Sequence, residues 1–116
     1  MEIAVTDAPR SGLRVAKLAG NLSLETVSQF NQTLREDNSP ALIVDLSGVA
    51  FLDSAGVGAL VQLLVRRGRS NQPLALSGIN PRNRAVLEVA QVAKLFQLFA
   101  TSADAEAQFS RTGKFQ

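Results

Sequence analysis

The stretch Val44-Asp45-Leu46-Ser47-Gly48-Val49-Ala50-Phe51-Leu52-Asp53-Ser54-Ala55-Gly56-Val57-Gly58-Ala59-Leu60 decides how this chain folds. It is typical of a buried strand, a loop and a helix whose first turn carries Asp53, Ser54, Gly56 and Gly58. Free backbone N–H groups point outward at the start of a helix. Such a start either holds an anion or presents a flat surface to a partner, and the residues alone leave both possibilities open.

Two patterns predict the strand and the helix of this stretch. Ala41 to Leu46 is a nearly continuous apolar run, which is typical of a strand that is buried on both faces and flanked by helices. Ser47 to Leu52 forms the loop, and the helix begins at Asp53 or Ser54. Apolar residues at positions i, i+3, i+4, i+7 and i+8 then predict an amphipathic helix with the buried face Val57, Leu60, Val61, Leu64 and Val65.

The chain before this stretch begins with two short strands. Ile3 and Val5 belong to the first strand, and the apolar residues between Leu13 and Leu18 belong to the second. Pro9 to Gly12 has the composition of a turn. We therefore expect an antiparallel hairpin at the N-terminus.

A first helix follows the hairpin. Gly20-Asn21 ends the second strand, and Ser23 is predicted to cap a helix that runs from about Leu24 to Glu36. Asp37-Asn38-Ser39-Pro40 ends this helix.

A strand and a third helix follow the central stretch. Pro73 to Gly78 predicts the strand and its turn, after which Asn80 caps a helix that Pro81 opens. The apolar face of this helix is predicted to be Val86, Val89, Ala90 and Ala93. Leu95 to Phe99 predicts a last short strand. The final helix is capped by Thr101 or Ser102 and ends near Phe109.

The element order β-β-α-β-α-β-α-β-α predicts one α/β domain over residues 1–116. Its sheet is mixed and mostly parallel, with about five strands, about four helices and the N-terminal antiparallel hairpin. Partner and ligand surfaces lie beyond the carboxyl ends of parallel strands. The loop from Ser47 to Ser54 and the turn from Gly20 to Ser23 are therefore expected to meet on one surface.

The composition narrows the chemistry that the domain can perform. It has no histidine, cysteine, tyrosine or tryptophan, which removes the commonest general base and the commonest metal ligands. We predict no catalytic residue, metal site or cofactor, and the absence of a P-loop pattern disfavours a small nucleotide-binding enzyme. No apolar run is as long as a membrane span and the N-terminus lacks the basic region of a signal peptide, so we expect a cytoplasmic protein without membrane insertion.

The arginines are unevenly distributed, although the net charge is only +2. No acidic residue lies between Asp53 and Glu88, a segment that holds Arg66, Arg67, Arg69, Arg82 and Arg84. This pattern predicts one basic face. Because no aromatic residues lie among the arginines, we favour a solvated face with charge pairing at a helix end over a nucleic-acid site.

The chain resembles a STAS domain, and most of all the single-domain bacterial anti-sigma-factor antagonists. The resemblance rests on the element order, on Gly20-Asn21-Leu22-Ser23, and on Asp45 to Val49 running into Phe51 to Gly58. It implies a non-enzymatic protein that binds a serine-kinase anti-sigma factor and so releases the sigma factor. In that family the kinase reverses the binding by phosphorylating a hydroxyl at the start of the second helix.

Two residues depart from the family pattern, and both lie on the expected recognition surface. The family usually has two hydroxyl residues between the aspartate and the glycine and phosphorylates the second, which here is Ala55. Ser23 stands where the family commonly has an aspartate. Ser54 is therefore either a helix cap, which we favour, or the phosphoacceptor candidate of a modified switch.

Two hypotheses follow from the residues and the resemblance. The first is an anti-sigma-factor antagonist, either permanently active or controlled through Ser54, that binds its partner through Ser23, Asp53, Ser54, Ala55, Gly56, Val57 and Gly58. Gly56 and Gly58 indicate close approach by a partner or by a neighbouring loop, and we favour the partner. The alternative is a STAS subunit of a lipid or anion transport system that docks on a transporter ATPase. The oligomeric state is left open.

Overall fold

The sheet of this protein has five strands, as described by a computed structural model that covers residues 1–7 and 12–116. The strand order is β1-β2-β3-β4-β5, with β1 antiparallel to β2 and every other pair parallel. The predicted α/β class and mixed sheet are confirmed. The predicted turn from Pro9 to Gly12 lies outside the described residues except for Gly12. The strands are β1 (Glu2–Asp7), β2 (Leu13–Ala19), β3 (Ala41–Gly48), β4 (Leu74–Ser77) and β5 (Gln97–Phe99).

Four α-helices alternate with the strands after β2, as the sequence predicts. A short 3-10 helix at Ala93–Leu95 precedes β5. Asn80 caps the third helix through a bond from the Asn83 N–H, and Pro81 opens it, so both predictions are confirmed. The helices are α1 (Val27–Leu34), α2 (Ser54–Arg69), α3 (Pro81–Val89) and α4 (Ser102–Thr112).

Helix α1 begins three residues later than predicted, and Ser23 is not its cap. The Ser23 hydroxyl donates to Glu25 Oε2 at 2.8 Å, and its carbonyl oxygen accepts from the N–H groups of Thr26 and Val27. These bonds close a turn before the helix, whose first residue is Val27. The prediction of a cap at Ser23 is wrong because the chain uses these polar groups to shape the loop between β2 and α1.

Strand β3 lies at the centre and is buried on both faces, as its apolar run predicts. Leu42, Val44 and Leu46 pack toward α1, α2 and α3. Ala41 and Ile43 pack on the opposite face against α4 and Phe115. The side chains of a strand alternate between the two faces of the sheet, so a strand that is covered on both sides is apolar throughout.

The buried face of α3 differs from the predicted one. Its buried residues are Asn83 and Leu87, whereas Val89 is 84% exposed and Ala90 is also exposed. Val86 and Ala93 are partly buried against the core. Helix α3 is thus rotated so that an asparagine faces the protein and a valine faces outward.

The arginines do not form one basic face. Arg67 is only 2% exposed and donates to the carbonyl oxygens of Ser39 and Asp37 at 2.7 and 3.3 Å. Arg66 donates to the carbonyl oxygen of Leu34 at the end of α1. Helices α2 and α3 both follow carboxyl ends of parallel strands, so the arginines that end α2 lie at the opposite end of the helical layer from Arg82. The interpretation as one solvated face is therefore wrong.

We predict that Arg67→Ala lowers the free energy of unfolding by about 3 kcal/mol, because buried carbonyl oxygens of the loop after α1 lose their charged donor. Urea unfolding monitored by circular dichroism measures this loss. Arg69→Ala is the matched control on the same turn. Arg69 is exposed, so its substitution changes stability by no more than about 0.5 kcal/mol. Equal losses in the two variants would contradict the buried role of Arg67.

Candidate functional site

The turn after β2 and the loop after β3 meet at the carboxyl ends of these strands, as predicted from the parallel topology. Leu22 and Leu52 form an isolated parallel bridge. The Leu22 N–H donates to the carbonyl oxygen of Phe51 at 3.0 Å, and the Asp53 N–H donates to the carbonyl oxygen of Leu22 at 3.3 Å. These backbone bonds hold the start of α2 against the β2–α1 loop.

Asp53 caps α2 and also binds the neighbouring loop. Its Oδ1 accepts from the Gly56 N–H at 2.9 Å, and its Oδ2 accepts from the Leu24 N–H at 3.1 Å. Bonds from these N–H groups, with that of Gly56 the strongest, hold the pKa of the Asp53 carboxyl below its usual range. The carboxylate of the chain itself therefore occupies the first turn of α2, which favours a partner surface over an anion site.

Ser54 is the first residue of α2 and is exposed. The expectation that Ser54 caps the helix is wrong, because Asp53 supplies the cap. The hydroxyl of Ser54 is consequently not required for capping and faces the surroundings of the protein. Ala55, at the position that the family usually phosphorylates, is partly buried.

The seven predicted partner-binding residues lie together but differ in exposure. Ser54 and Gly58 are exposed, and Asp53 and Ala55 are partly exposed. The three others are buried beneath this surface: Ser23, Gly56 and Val57.

The two glycines of the first turns of α2 have different surroundings. A Cβ atom added to Gly56 would lie 2.3 Å from the carbonyl oxygen of Leu22 and 2.7 Å from Cδ1 of Leu52. The β2–α1 loop, rather than a partner, makes this close approach. A Cβ atom added to Gly58 would meet nothing within 4 Å, so the described residues offer no packing reason for that glycine.

Sequence reasoning missed three side chains around the start of α2. Leu24 is 70% exposed and Phe51 is 38% exposed, one on each of the two loops. The Arg82 guanidinium lies over the Phe51 ring, with Cζ 5.4 Å from the ring centroid. A periodicity search does not find such residues, because Leu24 and Phe51 lie in loops and Arg82 is distant in sequence.

The buried side chain of Asn83 positions the loop between β3 and α2. Its Nδ2 donates to the carbonyl oxygen of Val49 at 2.9 Å, and its Oδ1 accepts from the Leu52 N–H at 3.1 Å. The side chain is 1% exposed. A buried amide with both ends bonded fixes the loop backbone, because leaving either group unpaired is costly.

Asp45 lies within β3, which extends to Gly48, so the prediction that the loop begins at Ser47 is wrong by two residues. Its carboxylate accepts from the Ser47 N–H at 2.9 Å and from the Ser102 hydroxyl at 3.0 Å. Burial raises the pKa of the Asp45 carboxyl, but these bonds outweigh burial and hold the pKa below its usual range. Asp45 thus ties the end of β3 to the start of α4 and has a structural role.

Two structural features are absent from the described part of the chain. Residues 1–7 and 12–116 contain no cluster of three or more histidine, cysteine, aspartate or glutamate side chains that could hold a metal ion. None of the described helices has the length and apolar character needed to cross a bilayer.

We predict opposite effects for alanine at the two glycines. Gly56→Ala lowers the free energy of unfolding by about 2 kcal/mol, because the new methyl group overlaps the Leu22 carbonyl oxygen. Gly58→Ala, its control two residues later, raises it by up to about 1 kcal/mol, since alanine favours the helix and the space is open. Thermal and urea unfolding of both variants measure the difference. A stable Gly56→Ala variant would refute the packing described for this turn.

We predict a pH-dependent loss for Asp45→Asn. At neutral pH the variant is about 1–2 kcal/mol less stable, because an amide replaces a charged acceptor of two bonds. The folded-state pKa is lowered, so this contribution is present above about pH 4 and disappears as the pH falls through the folded pKa. Urea unfolding from neutral pH to about pH 3 measures the change. Glu36→Gln, at an exposed position, is the control, and a loss independent of pH would contradict the role of the carboxylate.

Comparison with known proteins identifies the family. The family profile described as "Mlab, STAS domain" matches residues 6–99. The anti-sigma-F factor antagonist RsfB of Mycobacterium tuberculosis is 31% identical to this chain over 106 residues, which cover 89% of this chain and 86% of RsfB.

Two solved structures have the same fold. An anti-sigma factor antagonist from Mycobacterium paratuberculosis has a TM-score of 0.79 at 25% identity and covers 92% of this chain and 93% of its own. A sulfate transporter family protein from Wolinella succinogenes also has a TM-score of 0.79, at 18% identity, and covers 91% of this chain and 90% of its own. This second likeness concerns the fold alone. The chain therefore belongs to the STAS domain family, with relatives that are named anti-sigma factor antagonists.

Proposed function

We propose that this protein is a non-enzymatic regulator of the cytoplasm that binds an anti-sigma factor and thereby releases the sigma factor. The observation that carries the proposal is the surface at the start of α2, where the exposed Ser54 lies beside Leu24 and Phe51. The similarity to RsfB supports it, because it extends over 89% of this chain.

The proposed contact surface has two layers. Ser54 and Gly58 touch the partner directly, with Asp53 and Ala55 at the edge of the contact. Ser23, Gly56 and Val57 are buried, so they act by holding the helix start and the β2–α1 loop in register. Leu24 and Phe51 add apolar area on either side, which suits a protein partner better than a small polar ligand.

The proposed partner is a serine-kinase anti-sigma factor, and Ser54 is the candidate phosphoacceptor. A phosphoryl group adds about −1.5 to −2 charges at neutral pH. It would lie next to the Asp53 carboxylate, whose lowered pKa keeps it ionised. A contact surface that fits a neutral hydroxyl would then face several negative charges, so phosphorylation would weaken binding without any change in the fold.

Ala55 leaves two versions of this regulation. In the first, the kinase phosphorylates Ser54 in place of the second hydroxyl of the family pattern. In the second, no phosphorylation occurs and the protein is a permanently active antagonist. The exposed Ser54 hydroxyl, free of the capping role that Asp53 fills, supports the first version.

We predict that an anti-sigma factor of the source organism binds this protein and, with magnesium and ATP, phosphorylates Ser54. Peptide mass spectrometry locates the phosphate, and isothermal titration calorimetry measures the affinity. Ser54→Ala loses the phosphate and keeps binding, while Ser54→Glu weakens binding about tenfold or more because charge enters the contact.

Ser110→Glu is the matched control, since Ser110 is exposed on α4 at the opposite face of the sheet. It leaves the affinity unchanged within about twofold. Phosphate on another residue would exclude the Ser54 version, whereas binding without phosphate would support the permanently active version. The absence of binding to any anti-sigma factor would refute the proposed function.

A transporter ATPase is the second candidate partner. A sulfate transporter family protein from Wolinella succinogenes shares the fold, which is consistent with a role of this fold in transport systems. The same surface at the start of α2 would serve as its docking site. Calorimetric titration with the transporter ATPases of the source organism, beside its anti-sigma factors, decides between the two candidates.

A further inference from the structure

Helices α2 and α3 leave an open apolar groove between them, which begins at Ser54. Its volume is about 770 Å³, and its walls include Val57, Val61, Val86 and Val89. Val89 is 84% exposed at the rim. An exposed apolar groove of this kind commonly marks an interaction site.

Gly58 lies on the α2 wall of the groove. The space above its Cα is open, since nothing lies within 4 Å of an added Cβ atom. A glycine inside a helix is destabilising, and here the described residues gain no packing from it. A molecule in the groove can therefore approach the α2 backbone closely at this position, as helices do where small residues meet.

Arginines lie beyond both ends of the groove, and the Asp53 carboxylate next to Ser54 is bound by the N–H groups of Gly56 and Leu24. The segment from Ser54 to Leu87, which contributes most of the two walls, contains no acidic residue. Arg82 lies at the start of α3, near Phe51. Beyond the other end, Arg69 lies in the last turn of α2 and on the same helical stripe as Gly58. Glu88 and Arg84 line a separate groove on the other side of α3.

We propose that this groove docks an amphipathic helix of the protein partner, with an apolar face and acidic residues at both ends. The proposal rests on the proposed function and identifies how the partner extends its contact beyond Ser54. Both walls of the groove are helices, so a third helix packs between their side-chain ridges. The α2 wall of the groove runs from Ser54 to Gln62, which is about 12 Å along the helix axis and accommodates about two helical turns.

Phosphorylation of Ser54 and docking in the groove oppose each other. Ser54 lines one end of the groove, so its phosphoryl group would stand where the acidic end of the helix docks. The phosphate would repel the acidic residues of the partner helix, which the arginines otherwise attract. The charge at Ser54 would therefore control binding along the whole groove and not only at the start of α2.

A synthetic peptide tests the groove without any knowledge of the natural partner. The probe is a helical peptide of about 14 residues with leucine at positions i, i+3, i+4 and i+7 and glutamates at both ends. A matched peptide has lysines in place of the glutamates. Titration of the ¹⁵N-labelled protein is expected to shift the amide signals of Val57, Val61 and Val89, and the lysine peptide binds at least about tenfold more weakly.

Substitutions in the full chain make the test specific. Val89→Glu abolishes peptide binding, whereas Leu95→Glu, at another exposed apolar residue outside the groove, leaves it unchanged. Gly58→Ala weakens binding by at least about tenfold, because its methyl group blocks the close approach. Gly68→Ala is the matched control on α2, since the space around Gly68 is equally open and lies outside this groove.

Three results would overturn the proposal. The first is equal binding of the two peptides, and the second is a set of signal shifts outside the groove. The third is a dimer of this chain, detected by analytical ultracentrifugation, whose interface covers the groove in the spectra.

Val89→Glu in the binding assay with the anti-sigma factor separates the groove proposal from the proposed function. If the factor binds the variant as it binds the native chain, the groove proposal fails and the proposed function stands. If no factor binds but the acidic peptide occupies the groove, the proposed function fails and the groove proposal stands.

Discussion

The Asp53 carboxylate is the interaction on which the rest of the site depends. One oxygen closes the first turn of α2 through the Gly56 N–H, and the other holds the β2–α1 loop through the Leu24 N–H. Two segments that are distant in sequence are thereby fixed to each other at the point where Ser54 emerges. The missing side chain of Gly56 is part of the same arrangement, because the carbonyl oxygen of Leu22 occupies the space of its Cβ atom. Asp53 and Gly56 thus act together to hold the start of α2 against the β2–α1 loop.

The sequence predicts the fold well where the pattern is local and strong. The apolar run of β3 and the helical spacing of α2 each lie in a single segment, so each element can be recognised without knowledge of its neighbours. The predicted buried face of α2 is only partly right, because Val65 is 48% exposed and Leu63 is buried instead. The meeting of the loops after β2 and β3 follows from topology, since parallel strands end at the same edge. The boundary of β3 is less well predicted, because the strand continues through Asp45 and Ser47 to Gly48.

The sequence predicts much less where a side chain is defined by distant contacts. Arg67 stands among other arginines at the end of α2, yet the backbone of the loop after α1 surrounds it. Val89 was expected to be buried but is exposed, because the backbone of the β3–α2 loop binds Asn83 and turns the side of α3 that carries Asn83 toward the protein. Ser54 was expected to be a cap because serine is a common capping residue, but the Gly56 N–H donates to the Asp53 carboxylate instead. In each case the decisive partner is a backbone group, and the spacing of apolar residues in the sequence does not reveal such a partner.

A rigid site of this kind constrains how regulation can work. The cap, the bridge between Leu22 and Leu52 and the buried Asn83 leave the start of α2 with little freedom to rearrange. A change at Ser54 therefore acts through charge and volume at the surface rather than through movement of the fold. The surroundings amplify such a change, because an ionised carboxylate is next to Ser54 and an apolar groove begins at Ser54. If the groove docks a partner helix as proposed, the neutral hydroxyl is the state of Ser54 that adds no negative charge to this surface, so a single small residue would control the interface.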